Sequence, residues 1–346
     1  MFDRSEYGSL KSRPVFDRHL NPSPHKEWVS QEFTKWSKGF ADHNQWLDDL
    51  SVLSACYMFT GCKQKDRILA ATMFISHAFY LDHAMENARK QRSATLMVDL
   101  FEKLLLAVLT GRTDNDFCIG RRLLDTLAAT DAFLTRDQMT FTRNKLNAWL
   151  ETIRDIHCNY WLQNRFIPYD QYYDQRSNES GWYIYTLFSE ICSEYTAPES
   201  LLKCVPSFDT LRTTGIQLAL ALDDYLMTMV KLATNDITNG VLSYASAAKC
   251  SVQTALDVQL VLIKGLESEC RSLYDTMVDR LGPGVESQEL KAYFDTFMDS
   301  MYGFHTAFAV LYAYEEKDGL VWSPKWEALS RQLMDDTKEM QLNFLN

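Results

Sequence analysis

Gly215–Thr234 reads GIQLALALDDYLMTMVKLAT, apolar on nearly every side of a helix, with Asp223 and Asp224 adjacent at its centre and Lys231 two turns beyond. A helix with no polar face belongs inside a large domain. Burying an unpaired carboxylate there is costly, so these charges need a cation, a metal or a wet cavity beside them. From this helix alone two readings stand side by side. The aspartates cap a break or pair with an arginine of a neighbouring helix, or they form one wall of a binding site.

The flanking sequence is of the same kind. Residues 1–25 carry Pro14, Pro22 and Pro24 and read as an irregular N-terminal arm, ahead of one helical domain over 26–346. Trp28, Phe33, Trp36 and Phe40 share a helical face. Further helices are expected over Trp46–Phe59, Asp66–Asn87, Ser93–Leu109, Cys118–Leu134, Arg136–Phe166 and Trp182–Tyr195. Beyond Gly215–Thr234 come Val252–Leu281, Leu290–Tyr314 and a short helix after Pro324. Tyr169–Gly181, YDQYYDQRSNESG, is a polar-aromatic segment closing on glycine, and Asn235-Asp236 with Asn239-Gly240 supplies turn residues. No strand-like alternation or internal repeat interrupts the pattern. The expected architecture is all-α, about ten to twelve helices in one domain.

Composition bounds the function. With 46% hydrophobic residues and only 13 Gly and 8 Pro in 346, the chain can bury one large helical core. A net charge of −11 without any Lys/Arg block argues against nucleic acid and anionic membrane surfaces as partners. No run approaches the ~18 apolar residues of a spanning helix. The first thirty residues lack a signal-peptide run, so a cytoplasmic protein without membrane insertion is expected. The eight scattered cysteines contain no C-x-x-C pair and read as reduced core thiols. Thr113–Asp116 lacks the glycine and distal glutamate of a cation loop and reads as a solvated turn.

A second acidic pair follows a greasy run. MFISHAFYL, residues 73–81, leads into Asp82, His83 and Glu86. Asp82 and Glu86, four apart, project from one helical face. Glu86 with Arg89 or Lys90 would make an ordinary surface pair. An apolar run leading straight into Asp82 is also what carboxylates at the mouth of a greasy cavity require. Two carboxylate-bearing helices suggest a divalent cation with hard oxygen ligands, and Mg²⁺ held this way usually bridges to a substrate phosphate. It then acts as a Lewis acid on a diphosphate leaving group.

These residues carry a resemblance to the class I terpene synthases in their single-domain microbial form. DHAME at 82–86 resembles the family's aspartate-rich motif, with His83 in place of the second Asp. Asn21-Pro22 with Trp36 and Phe40 resembles the N-terminal opening, and Arg165–Pro168 with Tyr172–Gly181 resembles the segment of the diphosphate-sensing Arg and helix-break Gly. Arg176 lies five before Gly181, one residue off the usual spacing, and Gly181 to Asp223 is 42 positions, close to the family's distance to its second metal motif. That motif, N-D-x-x-S-x-x-x-E, here reads Asp223, Asp224, Met227 and Lys231. A thioether is too soft for Mg²⁺. Lys231 puts a cation where a carboxylate stands. A second register, Asn235-Asp236 through Asn239 to Ser243, restores the start but supplies no glutamate. The C-terminal Arg-Tyr pair is reduced to Tyr314, with Ala313 where the Arg would be.

The resemblance implies a helical bundle around a central cavity and Mg²⁺-dependent cyclisation of a linear prenyl diphosphate, farnesyl diphosphate foremost. It implies Asp82, Glu86, Asp223 and Asp224 as metal ligands, with Lys231 completing the catalytic set. Arg176 and Lys231 would bind diphosphate, and Phe79, Trp182 and Tyr314 would face the hydrocarbon. A homodimer stays open. The alternative is a repurposed fold that binds or rearranges a neutral terpenoid without diphosphate ionisation.

Overall fold

A computed structural model of the chain describes residues 20–194, 208–234, 237–280, 285–316 and 319–322. Twelve α-helices follow one another: α1 Lys26–Ser37, α2 Gln45–Met58, α3 Lys65–Lys90, α4 Ala94–Thr110, α5 Cys118–Asp131, α6 Arg136–Ile156, α7 Tyr169–Glu179, α8 Trp182–Cys192, α9 Phe208–Thr234, α10 Gly240–Ala248, α11 Val252–Arg280 and α12 Val285–Tyr312. Their ends are written in side chains. Asn44 Oδ1 accepts from the Trp46 and Leu47 amides to start α2. Thr135 and Gln138 form a reciprocal capping box at α6. Gly111, at φ 65°, closes α4 in the left-handed conformation that glycine favours.

The central helix is as apolar as its sequence demands. Leu218, Ala219, Leu220, Ala221 and Leu222 are all buried, and five consecutive helical residues point in every direction around the axis. α9 packs along α11, and α2 packs along both α3 and α12. α3 also packs on α5, whereas α3 and α9 do not lie along one another.

Four features differ from the expected pattern. Tyr169–Glu179 is a full helix, started after Pro168 and anchored by Tyr172 and Arg176 on its inner side. The helix from Arg136 ends earlier than expected, its α-turns giving way at Ile156 to a π-turn, His157–Trp161. Residues 240–248 continue as α10, capped by Asn239 Oδ1 accepting from the Leu242 amide. The last helix stops at Tyr312, and Ala313–Glu316 pairs antiparallel with Gly319–Trp322. The two strands carry β-favouring Tyr314, Val321 and Trp322. Tyr314 therefore stands in a strand opposite Val321.

The turn pair at 235–236 and the helix after Pro324 lie outside the described residues. The described cysteines are free thiols. Among the described residues no helix is long and apolar enough to cross a membrane.

Candidate functional site

Asp223 and Asp224 are adjacent, so a helix turns their side chains about 100° apart. They go to different places. Asp224 is buried, and its Oδ1 accepts from the Tyr172 hydroxyl of α7 at 2.8 Å. Its Oδ2 has no hydrogen-bonding side-chain partner and lies against Gly240, where a Cβ would come within 2.7 Å of it. Its backbone carbonyl takes Asn239 Nδ2 at 2.7 Å and Thr228 Oγ1 at 2.6 Å. Burial first, and the charge of Asp223 second, push its carboxyl up to about 7, against the pull of Arg176 and the Tyr172 bond. The second register also finds its answer here. Asn239 is a cap that pins α10 to α9, and its side-chain atoms are occupied.

Asp223 faces another way. Its Oδ2 lies 3.3 Å from Arg176 Nη2. Burial raises its carboxyl, Arg176 and Lys231 pull it back down, and the charge of Asp82 pushes it up again. The charge of Asp82 on α3 thus acts on Asp223 of α9. Lys231 is partly buried and within reach of Asp223, while Met227 packs on the apolar core.

Asp82 projects from α3 with its side chain 57% exposed and is paired with Arg89, Nη2 to Oδ1, at 2.7 Å. Arg89, which with Lys90 was one of two possible surface partners for Glu86, reaches back two turns to Asp82. Glu86 follows Asp82 by one turn of α3, and its side chain lies outside the described residues, as does that of Tyr314. Phe79, one turn before Asp82, is partly buried against the core. Trp182 is buried and meets Phe304 of α12 edge-on, centroids 5.2 Å apart. Among the described residues, no three His, Cys, Asp or Glu side chains converge as a ready cation site.

Arg176 is held from two sides. Its Nη1 pairs with Glu179, and Nη2 pairs with Asp223. Glu179 in turn lies 3.8 Å from His157 Nε2, and its carbonyl accepts from Trp149 Nε1 at 2.5 Å. Gly181 follows at φ 71°, where the Trp149 ring would stand 3.1 Å from any Cβ. A side chain here meets both backbone strain and the indole. The sequence reading passed over Glu179, Tyr172 and Trp149. The i,i+3 spacing of Arg176 and Glu179 was the visible signal. The other two are aromatic residues among many.

A family profile described as terpene synthase family 2, C-terminal metal binding, matches residues 73–269, the span that holds both acidic helices and α7. No match is found among curated protein sequences. Among solved structures, germacradien-4-ol synthase from Streptomyces citricolor superposes with a TM-score of 0.73 at 12% identity, over 86% of this chain and 98% of that one. Linalool/nerolidol synthase from Streptomyces clavuligerus, in complex with 2-fluorogeranyl diphosphate, gives 0.70 at 14% identity over 82% and 99%. The SVS_A2 protein from ancestral sequence reconstruction gives 0.72 at 16% identity over 95% and 98%. Identities this low speak for the shared helical fold, and the profile match over more than half of the sequence speaks for the lineage. The chain belongs to terpene synthase family 2.

Proposed function

We propose that this protein is a class I terpene cyclase. It ionises a linear prenyl diphosphate, farnesyl diphosphate, and closes the hydrocarbon to a sesquiterpene with loss of diphosphate, using Mg²⁺. The observation that carries this reading is the pair of carboxylate–guanidinium contacts on the two acidic helices, Asp82 with Arg89 and Asp223 with Arg176, in a member of terpene synthase family 2.

The residues fit a hard divalent cation. Each carboxylate offers oxygen ligands, and a cation between them relieves the repulsion by which Asp82 raises the Asp223 carboxyl. Asp82, Glu86 and Asp223 would hold it. We leave Asp224 out of the ligands because its Oδ1 accepts from Tyr172 and its Oδ2 is shut in against Gly240, and we assign it the task of fixing the backbone from which Asp223 projects. When bound, the metal supplies positive charge to the departing diphosphate.

The remaining work belongs to the chain's own side chains. Arg176 offers a planar fork to phosphate oxygens, oriented by Glu179. Lys231 adds a point charge in place of the carboxylate that its relatives carry. Phe79, Trp182 and Tyr314 would supply aromatic rings, each worth about 0.5–2 kcal/mol to a nearby cation. Excluding water protects the carbocation from quenching to an alcohol.

The test is direct incubation with farnesyl diphosphate and Mg²⁺, reading volatile products by mass spectrometry. Asp82→Asn and Asp223→Asn should each lower product by about 10- to 100-fold or more, and EDTA should abolish it. Unchanged cyclisation in both variants would remove the metal assignment. The departures at Met227, Lys231 and Ala313 keep one alternative in play, a cavity for a neutral terpenoid. Turnover of such a substrate that survives EDTA would decide for it.

A further inference from the structure

This inference rests on the diphosphate reading and concerns what the two acidic walls hold before a ligand arrives. Both carboxylates are already engaged. Asp82 Oδ1 takes Arg89 Nη2 at 2.7 Å, and the same nitrogen donates to the Asp82 carbonyl at 3.1 Å. Asp223 Oδ2 takes Arg176 Nη2 at 3.3 Å. Neither arginine is a surface residue, at 6% and 8% exposure. The Arg89 guanidinium lies over the Trp161 ring, 5.7 Å from its centroid, and Arg176 is gripped by Glu179.

The oxygen of each carboxylate that faces its arginine, Asp82 Oδ1 and Asp223 Oδ2, is open to a cation only when that guanidinium moves away. A bare metal that takes those oxygens would break two charge-assisted pairs of largely buried arginines, which is costly. A diphosphate changes that balance. Its oxygens match the arginine fork and can accept both guanidiniums as they leave the aspartates.

We propose that Arg89 and Arg176 are latches: in the resting protein they hold Asp82 and Asp223, the diphosphate draws them off, and the carboxylates so released take the metal. The anion binds first and metal affinity follows from it. No covalent bond changes, since two ion pairs to aspartate are traded for two to phosphate. Arg89 thereby becomes a diphosphate-binding residue that sits seven positions after the aspartate it guards.

Calorimetric titration of the full chain with inorganic diphosphate in EDTA tests this without a bridging metal. The proteins are wild type, Asp82→Asn, Arg89→Gln and their double variant, with the same square for Asp223→Asn and Arg176→Gln. A latch predicts that Asp→Asn tightens diphosphate about tenfold, a usual size for coupling between sites, only while its arginine is present. The gain should vanish in the arginine-less background. Plain repulsion between carboxylate and anion gives the same gain in both backgrounds and would overturn the proposal.

Arg89→Lys keeps the charge without the fork, so the gain from Asp82→Asn should shrink there. It serves as the second variant if Arg89→Gln does not fold. With Mn²⁺ alone, followed by electron paramagnetic resonance, Arg89→Gln should bind several-fold more tightly than wild type, and equal affinity counts against the latch. Wild type that binds no diphosphate even with Mg²⁺ would sink the cyclase reading along with it. Binding with additive squares removes the latch alone.

Discussion

Asp223 and Asp224 show how much one helical step decides. The two share a backbone and a side-chain type, yet one meets Arg176, Lys231 and the charge of Asp82, while the other is sealed between Tyr172 and Gly240. Burial alone does not make a carboxylate a ligand; its partners do. A parallel case outside the site gives a clean measurement. Glu190 of α8 is largely buried, and desolvation pushes its carboxyl up to about 7 although Gln138 Nε2 donates to it at 2.9 Å. Between its ordinary range and about 7, the folded protein keeps a proton that the unfolded chain has released. Stability from this group is therefore full at low pH and lost as pH rises through that window. Glu190→Gln removes the titration while keeping an oxygen for Gln138. Chemical denaturation from pH 5 to 8 should show wild type losing up to about 1.4 kcal/mol per pH unit relative to the variant, levelling off above 7. Parallel curves would mean that Glu190 is not desolvated as described.

At the scale of elements, the fold depends on a few close approaches. Gly303 places α12 against α2, and a Cβ there would lie 2.7 Å from the Met58 Cα and closer still to the Tyr57 carbonyl. Backbone atoms cannot swing aside as a side-chain tip can. Gly303→Ala should therefore destabilise by about 1–3 kcal/mol or more, read as a lower denaturation midpoint with an unchanged slope. A midpoint within error of wild type would show that the two helices part freely.

The same scale shows what sequence could and could not reveal. α9 was legible because five buried residues in a row leave no polar face, and α3 because its apolar run ends in Asp82. α7 was not read as a helix, since YDQYYDQRSNESG has no apolar stripe. Its inward residues are Tyr172, Arg176 and Glu179, which pair by hydrogen bond and charge rather than by burying hydrocarbon. The hairpin after Tyr312 was hidden for a different reason. Tyr314 and Val321 also suit a helix end, and only their pairing between the two strands tips the balance. Arg89 could be seen to face an acid but not which one, because i+3 and i+7 both return a helix to nearly the same side.

Across the whole molecule these differences become a gradient of stability. One continuous core runs from Val29 in α1 to Phe304 in α12. α7 stands partly outside it. Tyr172 belongs to a small satellite cluster with Ile156 and Ile167, and Tyr173 and the Tyr169 ring, edge-on to Tyr244, link that helix to the main core by packing. The rest of its attachment is polar: Tyr172 to Asp224, Arg176 to Asp223, Tyr173 to Gln259 at 2.8 Å, and Trp149 to the Glu179 carbonyl. Elements with little buried apolar contact open locally before the core unfolds. Amide hydrogen exchange should then find 218–226 of α9 exchanging only through global unfolding and α7 exchanging well ahead of it. Inorganic diphosphate with Mg²⁺ should slow α7 and leave the 218–226 amides unchanged, because the ligand rewards the element that carries Arg176. Protection in α7 equal to that of α9 would place the helix inside the core's cooperative unit, and the site would then have no loosely held wall for the anion to close.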